Sequence, residues 1–469
     1  MDTDLDARSI DVAQRRRLLI GCAIVIVAAV FAGFGARRAD RAAFLIPVVA
    51  AGGLGLVYLA VSRFEYFVLG ILFIRASLDA AKIGAGSIDA TGALSVVFIA
   101  AAVLWLLAQR RDPTAKASAT APLMPPLIAL VAAAALGLLI SRDPLASAVE
   151  WVRLGTLVAI VAVLGRILED EHVLRLGLLA VLASAIVPLL VASVQALRGG
   201  GLVDVQGLDR IRGTFAHSNP FAAYLFLMIT LAVAIFPHMS ARWKIALVPY
   251  VLACGALLVL TYTRGAWVAL VVALVVIAFL QDRRIFVFLL AAFVAVAILV
   301  PSVSVRLSDL SQQEKVTGAP GNSLVWRFSH WREVLALQTD PLTGIGLKEV
   351  DLRDVNQVAP HNDLVRVYVE MGLAGLAAYL WLAVVLWLES VRTWRRARGG
   401  LARGLAVGGI AATAGVMMLS LVANVITQLV ILWYYFAIVA LAMAAASRVR
   451  DEAPVRDEAS VRDDAPVAA

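Results

Sequence analysis

The residues best placed to do chemistry are His361-Asn362-Asp363, directly ahead of a long apolar run that carries Arg366 and Glu370 in its first turns. A histidine titrates near neutral pH and can act as a base. Asn362 and Asp363 have side chains that cap a helix, and Arg366 and Glu370, four apart, are spaced to neutralise each other on one. Upstream, Arg264 in "TYTRGAW" stands between two apolar segments with no other charge within a span's length. A charge in or at the edge of a membrane is costly and tends to be functional. The alternative is an interfacial anchor beside Tyr262 and Trp267. A third group, "DRIRGTFAHSNPF" at 209–221, sets Arg210 and Arg212 ahead of Asn219-Pro220, with Asn before the helix and Pro at its first position. The plain alternative there is a pair of cations snorkelling at a span end. Arg75, Asp79 and Lys82 follow at spacings of four and three, share a helical face, and read as a structural ion cluster.

These residues sit in a chain that is 62% hydrophobic and 16% charged. Apolar stretches of roughly 17 to 25 residues recur, each long enough to cross a bilayer core. A spanning segment must satisfy its backbone hydrogen bonds internally, so these stretches are helices; the short alternating segments of a membrane barrel are missing. The expected fold is all-α: a polytopic helical membrane protein with about 12–14 transmembrane helices and one large extracytoplasmic loop. Residues 1–17 read as a cytoplasmic N-terminus, 18–301 as transmembrane helices 1–11 with short loops, 302–362 as the large loop, and 363–447 as helices 12–14. Spans expected at 66–82, 174–196 and 363–389 are each read as one continuous helix. Residues 448–469 repeat a polar hexapeptide, "VRDEAP", with nothing to bury, and read as a disordered cytoplasmic tail.

Arginine-rich short loops set the expected orientation. Arg15 to Arg17, Arg110 and Arg111, Arg242, Arg283 and Arg284, the cluster from Arg392 to Arg403, and Arg448 all fall on one side of a fourteen-span layout, which makes that side cytoplasmic. "RRADR" at 37–41 is the exception. The net charge of +8 then belongs to the cytoplasmic rim and to anionic lipid contact, not to nucleic acid. Cys22 and Cys254 lie in apolar spans and form no metal spacing or disulfide framework.

Two outer loops, 198–218 and 302–362, are longer than a turn, and long loops tend to carry function. In the second, Trp326, Phe328, Trp331, Val334, Leu335 and Leu337 predict an amphipathic helix near the membrane surface. Pro341, Gly344 and Gly346 predict a turn after it.

Four motifs, in this order, resemble the O-antigen ligase/polymerase family of bacterial envelope glycosyltransferases: "RIRGTFAHSNPFAAYL", "TRGAW", "RFSHWREVLALQTDPLTGIGL" and "HNDLVRVYVEMGLAG". The pattern covers about 205–380. The resemblance implies a multi-pass protein of the bacterial inner membrane, with its active site facing the periplasm. It implies an undecaprenyl-diphosphate-linked glycan as donor. The acceptor would be a sugar hydroxyl, on lipid A–core for a ligase or on another lipid-linked glycan for a polymerase. It implies no cofactor and no essential metal. By it, His361 is the general base or orienter of the acceptor hydroxyl. Arg210, Arg212 and Arg264 are candidates for the diphosphate, with either Arg210 or Arg212 facing the site. Forked arginine contacts would stabilise an anionic leaving group in place of a metal. Asn219, Arg327, Asn362, Arg366 and Glu370 are supporting residues, Arg366 being unusual for the family at its position. A polysaccharide or lipid transporter is the competing class; the lack of an internal repeat and the clustering of polar motifs at one face count against it.

Overall fold

The structure is a computed structural model, and it describes residues 53, 55–79, 90–109, 118–199, 202–203, 209–287, 291, 323–353 and 359–451. The expected span at 18–36, most of that at 285–301, Lys82, the 37–41 exception and the tail beyond 451 lie outside the described residues. The chain divides into two compact units, 1–71 and 72–469. In the first, residues 55–62 are helical and α1 (Phe64–Arg75) begins. The second continues with α2 (Ala90–Gln109), α3 (Met124–Leu138), α4 (Pro144–Ile167), α5 (Glu171–Ala183) and α6 (Ile186–Arg198). A two-residue antiparallel hairpin, β1 (Leu202–Val203) and β2 (Asp209–Arg210), pairs Leu202 with Arg210. Then come α7 (Ser218–Ile235), α8 (Ala241–Leu260), α9 (Arg264–Leu280), α10 (Ser323–Ala336), α11 (Glu349–Arg353), α12 (Asp363–Arg396), α13 (Gly400–Ser420) and α14 (Leu429–Asp451).

Among the described residues eight helical segments are long and apolar enough to cross a membrane, with α5 and α6 counted together; α9 and Leu94–Gln109 are shorter apolar helices. The chain is a multi-span helical membrane protein. Local chemistry starts several helices: the Asp143 carboxylate accepts from the Ala146 amide at 3.0 Å ahead of α4, with Pro144 as its first residue, and Asp170 accepts from the Val173 amide at 3.0 Å ahead of α5. The apolar stretch of α14 is buried on every side, as suits a helix that is hydrophobic all round. Around it pack α4, α7, α12 and α13, and α13 also runs along α9. Gly409 of α13 faces Ala442 of α14, and Gly415 faces Phe226 of α7 and the Ala269 carbonyl of α9, so small residues let these backbones approach.

Three expected spans are broken. The run at 66–82 stops being helical at Arg75 because the Tyr434 hydroxyl intervenes: it donates to the Leu72 carbonyl at 2.5 Å and accepts from the Ala76 amide at 3.1 Å, the two groups that would have bonded to each other. The turn after it docks on the Gly-Thr-Phe segment, with Thr214 Oγ1 donating to the Ala76 carbonyl and the Ala216 amide donating to Asp79. Arg75 and Asp79 pair at 4.0 Å, so this much of the ion cluster is structural. The run at 174–196 breaks at Ser184-Ala185, just ahead of Pro188, which cannot donate back to the preceding turn. The third break, in α12, belongs to the site.

Candidate functional site

The 34-residue helix α12 is two helices joined at Gly372, whose φ of 64° and ψ of −163° are not helical. Two helical hydrogen bonds are lost there, and the segment 341–346 replaces both. The Leu373 and Ala374 amides donate to the Pro341 and Leu342 carbonyls at 2.8 and 3.3 Å. The Val369 and Glu370 carbonyls accept from the Ile345 and Gly346 amides at 2.9 and 3.1 Å. No buried backbone group is left unpaired by the break, as irregular backbone inside a membrane protein requires. Glycine is needed on both sides. A Cβ on Gly344, at φ 82°, would lie 2.5 Å from the Glu370 carbonyl carbon, and one on Gly372 would overlap the Leu342 carbonyl. The Pro-Leu-x-Gly-x-Gly and Glu-x-Gly-x-x-Gly motifs are thus the two halves of one lock, more than the simple turn expected of the first.

Charges clamp the lock. Arg366, buried, donates from Nη2 to Asp351 at 2.8 Å and from Nε to Glu370 at 3.2 Å. Glu349 accepts from Ser141 Oγ, the Arg142 amide and Arg353 Nε at 2.8, 2.6 and 2.7 Å, tying α11 to the α3–α4 connection. Burial alone would raise the Glu349 pKa, but the bonds from Arg353, Ser141 and the backbone amides hold it below the ordinary carboxylate range.

At the mouth of α12, the Asn362 side chain accepts from the Val365 amide at 3.2 Å and caps the helix, as expected. Its own amide donates to Asn424 Oδ1 at 3.1 Å. Asp363 does not cap. Its buried carboxylate accepts from the Ile426 amide at 3.1 Å and from the Tyr379 hydroxyl at 2.9 Å, so it holds the connection between α13 and α14. His361 itself is half-buried in left-handed backbone, with φ 52°. The non-glycine residues with such backbone among the described residues are Tyr262, Lys348 and His361, all in segments that connect at this site, where strain tends to be stored. Trp331 of α10 donates its indole N–H to the Pro360 carbonyl at 2.6 Å, and Arg327, one turn earlier, donates to the Val422 carbonyl at 2.9 Å. Gly265, next to Arg264, lies against the Val422 side chain, which a Cβ there would meet at 3.1 Å.

Arg210 reaches the same neighbourhood from β2. Its Nε donates to the Thr261 carbonyl at 2.7 Å and its Nη2 to Asn219 Oδ1 and Thr263 Oγ1 at 2.8 and 2.9 Å. Arg212 turns elsewhere: its amide donates to Gln195 and its Nη1 to the Ala216 carbonyl. Asn219 is not the cap expected of it. The helix starts at Ser218, and the Asn219 side chain serves Arg210 and Thr263 instead. Of the expected site residues, the fold therefore assembles Arg264, Arg327, His361 and Asn362 around residues 422–424, with Arg210 and Asn219 bracing the approach to Arg264. Arg366 and Glu370 lie beneath as an ion pair.

Electrostatics agree with the packing. Burial, and then the charges of Arg327, His330 and Arg366, lower the His361 pKa to about 4, so the imidazole is neutral at neutral pH. Burial, and then repulsion from Arg264, lowers the Arg327 pKa. A neutral histidine therefore stands in a positive field, an arrangement able to hold an anion and to accept a proton beside it. Sequence reasoning missed Val422, Asn424, Asp351 and Tyr379. Asn424, a polar residue in the short gap between two apolar runs, was the visible signal.

Residues 249–380 match a family model described as O-Antigen ligase. The matched segment holds Arg264, Arg327, the lock motifs and His361, and leaves out Arg210 and Arg212. No curated protein matches the chain. Over residues 249–380 the chain carries an O-antigen ligase domain of the ligase/polymerase family.

Proposed function

We propose that this site transfers a glycan from a polyprenyl-diphosphate carrier to a sugar hydroxyl, on the extracytoplasmic side of a bacterial inner membrane. The acceptor oxygen attacks the anomeric carbon and the carbon–oxygen bond to phosphate breaks with inversion. The hydroxyl proton passes to His361, and the carrier diphosphate leaves with the bonding electrons. Arg264 stabilises the negative charge that grows on the diphosphate. Arg210, bound to Thr261 and Thr263, holds the turn that presents Arg264. The observation that carries this reading is the meeting of Arg264, Arg327 and His361 around residues 422–424. Arg327 bonds the Val422 carbonyl, Asn362 beside His361 bonds Asn424, and Gly265 beside Arg264 lies against Val422, so one short turn gathers the segments that carry all three.

Ligation to a lipid-anchored acceptor is the reading preferred over polymerisation. Its support is α10, which packs Val334 inward against Ile345, Val350 and Val369 while Phe328 and Leu335 stay exposed. Such an apolar outer face suits the lateral entry of a lipid-borne acceptor. Deleting the gene is expected to leave long lipid-linked polymer made but unattached. Single repeat units accumulating on the carrier would identify a polymerase instead.

A further inference from the structure

His361 has left-handed backbone, with φ 52°. A residue with a Cβ keeps that conformation only where its surroundings over-determine it. The two dihedrals of a residue are the rotations of the peptide planes on either side of it. Each plane beside His361 is held by a side chain from a different segment. The plane before it carries the Pro360 carbonyl, which accepts from the Trp331 indole N–H at 2.6 Å. The plane after it carries the Asn362 amide, which donates to Asn424 Oδ1 at 3.1 Å. Asn424 and Pro360 are both buried, which shields the two bonds from water. Trp331 belongs to α10 and Asn424 to the connection between α13 and α14. Those two segments are also bonded to each other, through Arg327 of α10 and the Val422 carbonyl. So α10, the turn at 422–424 and the mouth of α12 form a closed circuit of three side-chain bonds, with His361 on it. The neighbours of His361 add to the constraint: Pro360 has a fixed φ, and Asn362 is committed to capping α12 through the Val365 amide.

We propose that Trp331 and Asn424 are positioning residues for glycan transfer: by holding the peptide planes that flank His361, they fix the direction of its Cα–Cβ bond and aim the imidazole at the acceptor hydroxyl. The inference rests on the reading of His361 as the base. The two side chains act on the base, not on the sugar or the phosphate. Each supplies one hydrogen-bonding atom, Nε1 of Trp331 and Oδ1 of Asn424. Release of either plane lets His361 fall back to the common negative-φ regions, which moves the ring. A base works only within hydrogen-bond reach of the proton it takes, and a misplacement of about 1 Å costs about a hundredfold in rate. The competing view makes Trp331 an interfacial anchor and Asn424 a turn residue, both serving stability alone.

The test uses the purified full-length protein in detergent. Donor and acceptor are supplied together by the glycolipid extract of cells lacking the gene, in which both accumulate unjoined. Rates against extract concentration are measured at about pH 8, where the imidazole is neutral, together with thermal unfolding. The variants are Trp331→Phe, Asn424→Leu, Asn424→Asp and His361→Ala. Trp331→Phe keeps an aromatic ring and loses the N–H donor; it should lower kcat about tenfold or more while the apparent KM stays within about twofold. Asn424→Leu, of similar size but without an acceptor, should do the same. Asn424→Asp restores an acceptor at Oδ1 and should recover most of the lost kcat. Trp331→Phe carries the test alone if Asn424→Leu does not fold. Wild-type kcat in Trp331→Phe, a fall in kcat matched by a rise in KM, or an Asn424→Asp as slow as Asn424→Leu overturns the proposal. If His361→Ala is inactive while Trp331→Phe and Asn424→Leu transfer normally, only this inference falls. If His361→Ala transfers like the wild type, the reading of His361 as the base falls with it.

Discussion

His361 can accept a proton only in its neutral form. Burial first, and then the nearby Arg327, His330 and Arg366, take its pKa from 6.5 to about 4. The sign follows directly: a depressed histidine pKa keeps the basic form present as pH falls through 6.5 and removes it only near 4. The acid limb of kcat/KM, which reports the free enzyme, is therefore expected near pH 4, and a limb at 6.5 in glycan-transfer assays would show that the cationic field does not act on the catalytic group. His361→Ala should lower transfer about a hundredfold or more while expression and membrane insertion stay normal; near-wild-type transfer would remove this residue from the mechanism. Arg264→Lys keeps the charge and loses the planar fork, so its activity should fall nearly as far as that of Arg264→Ala. Equal activity of Lys and Arg at this position would mean that a point charge suffices.

Between elements, the broken α12 and the segment 341–346 exist only together. Each provides the partners that the other's backbone lacks. Gly344→Ala or Gly372→Ala should cost about 2 kcal/mol or more, from left-handed strain plus overlap with facing backbone, and should abolish transfer because His361 stands directly ahead of the first half of the broken helix. Gly255→Ala is the control: its added Cβ meets nothing within 4 Å, and it should leave stability unchanged or raise it by about 0.5–1 kcal/mol. Thermal unfolding in detergent separates the cases. If Gly372→Ala melts like Gly255→Ala, the lock is not the element that holds the site.

For the molecule as a whole, the decisive question is which face of the membrane the site occupies. The arginine-rich stretch at the end of α12 and the arginines of α14 argue for a cytoplasmic position of those ends, which puts α10 and His361 outside. In a background without Cys22 and Cys254, a cysteine at the exposed Glu333 of α10 should react with an impermeant thiol reagent added to whole cells. One at the exposed Arg396 should not. Reversed labelling would turn the site inward and exclude a donor presented on the outer leaflet.

The membrane class, most of the helices and the Asn362 cap were legible in the sequence because each depends on nearby residues. A lipid solvent forces any long apolar run to bond internally, so composition and length alone announce a helical bundle. Asn362 caps α12 from three residues away, and Arg366 meets Glu370 one turn on. The candidate arginines and the histidine were legible too, as polar exceptions in an apolar chain. What tertiary structure decided was every bond between distant segments. Nothing near Gly372 marks a break, since a glycine in an apolar run is tolerated until another segment supplies its freed backbone with partners. Nothing near Leu72 foretells that Tyr434 will end α1 there. That Arg210, and not Arg212, bonds the Thr261–Thr263 turn depended on packing, which alone brings that turn to β2. The meeting of Arg264, Arg327 and His361 depended on a short turn at 422–424 with almost no charge or pattern of its own. Local chemistry named the parts, and the mutual satisfaction of buried polar groups placed them.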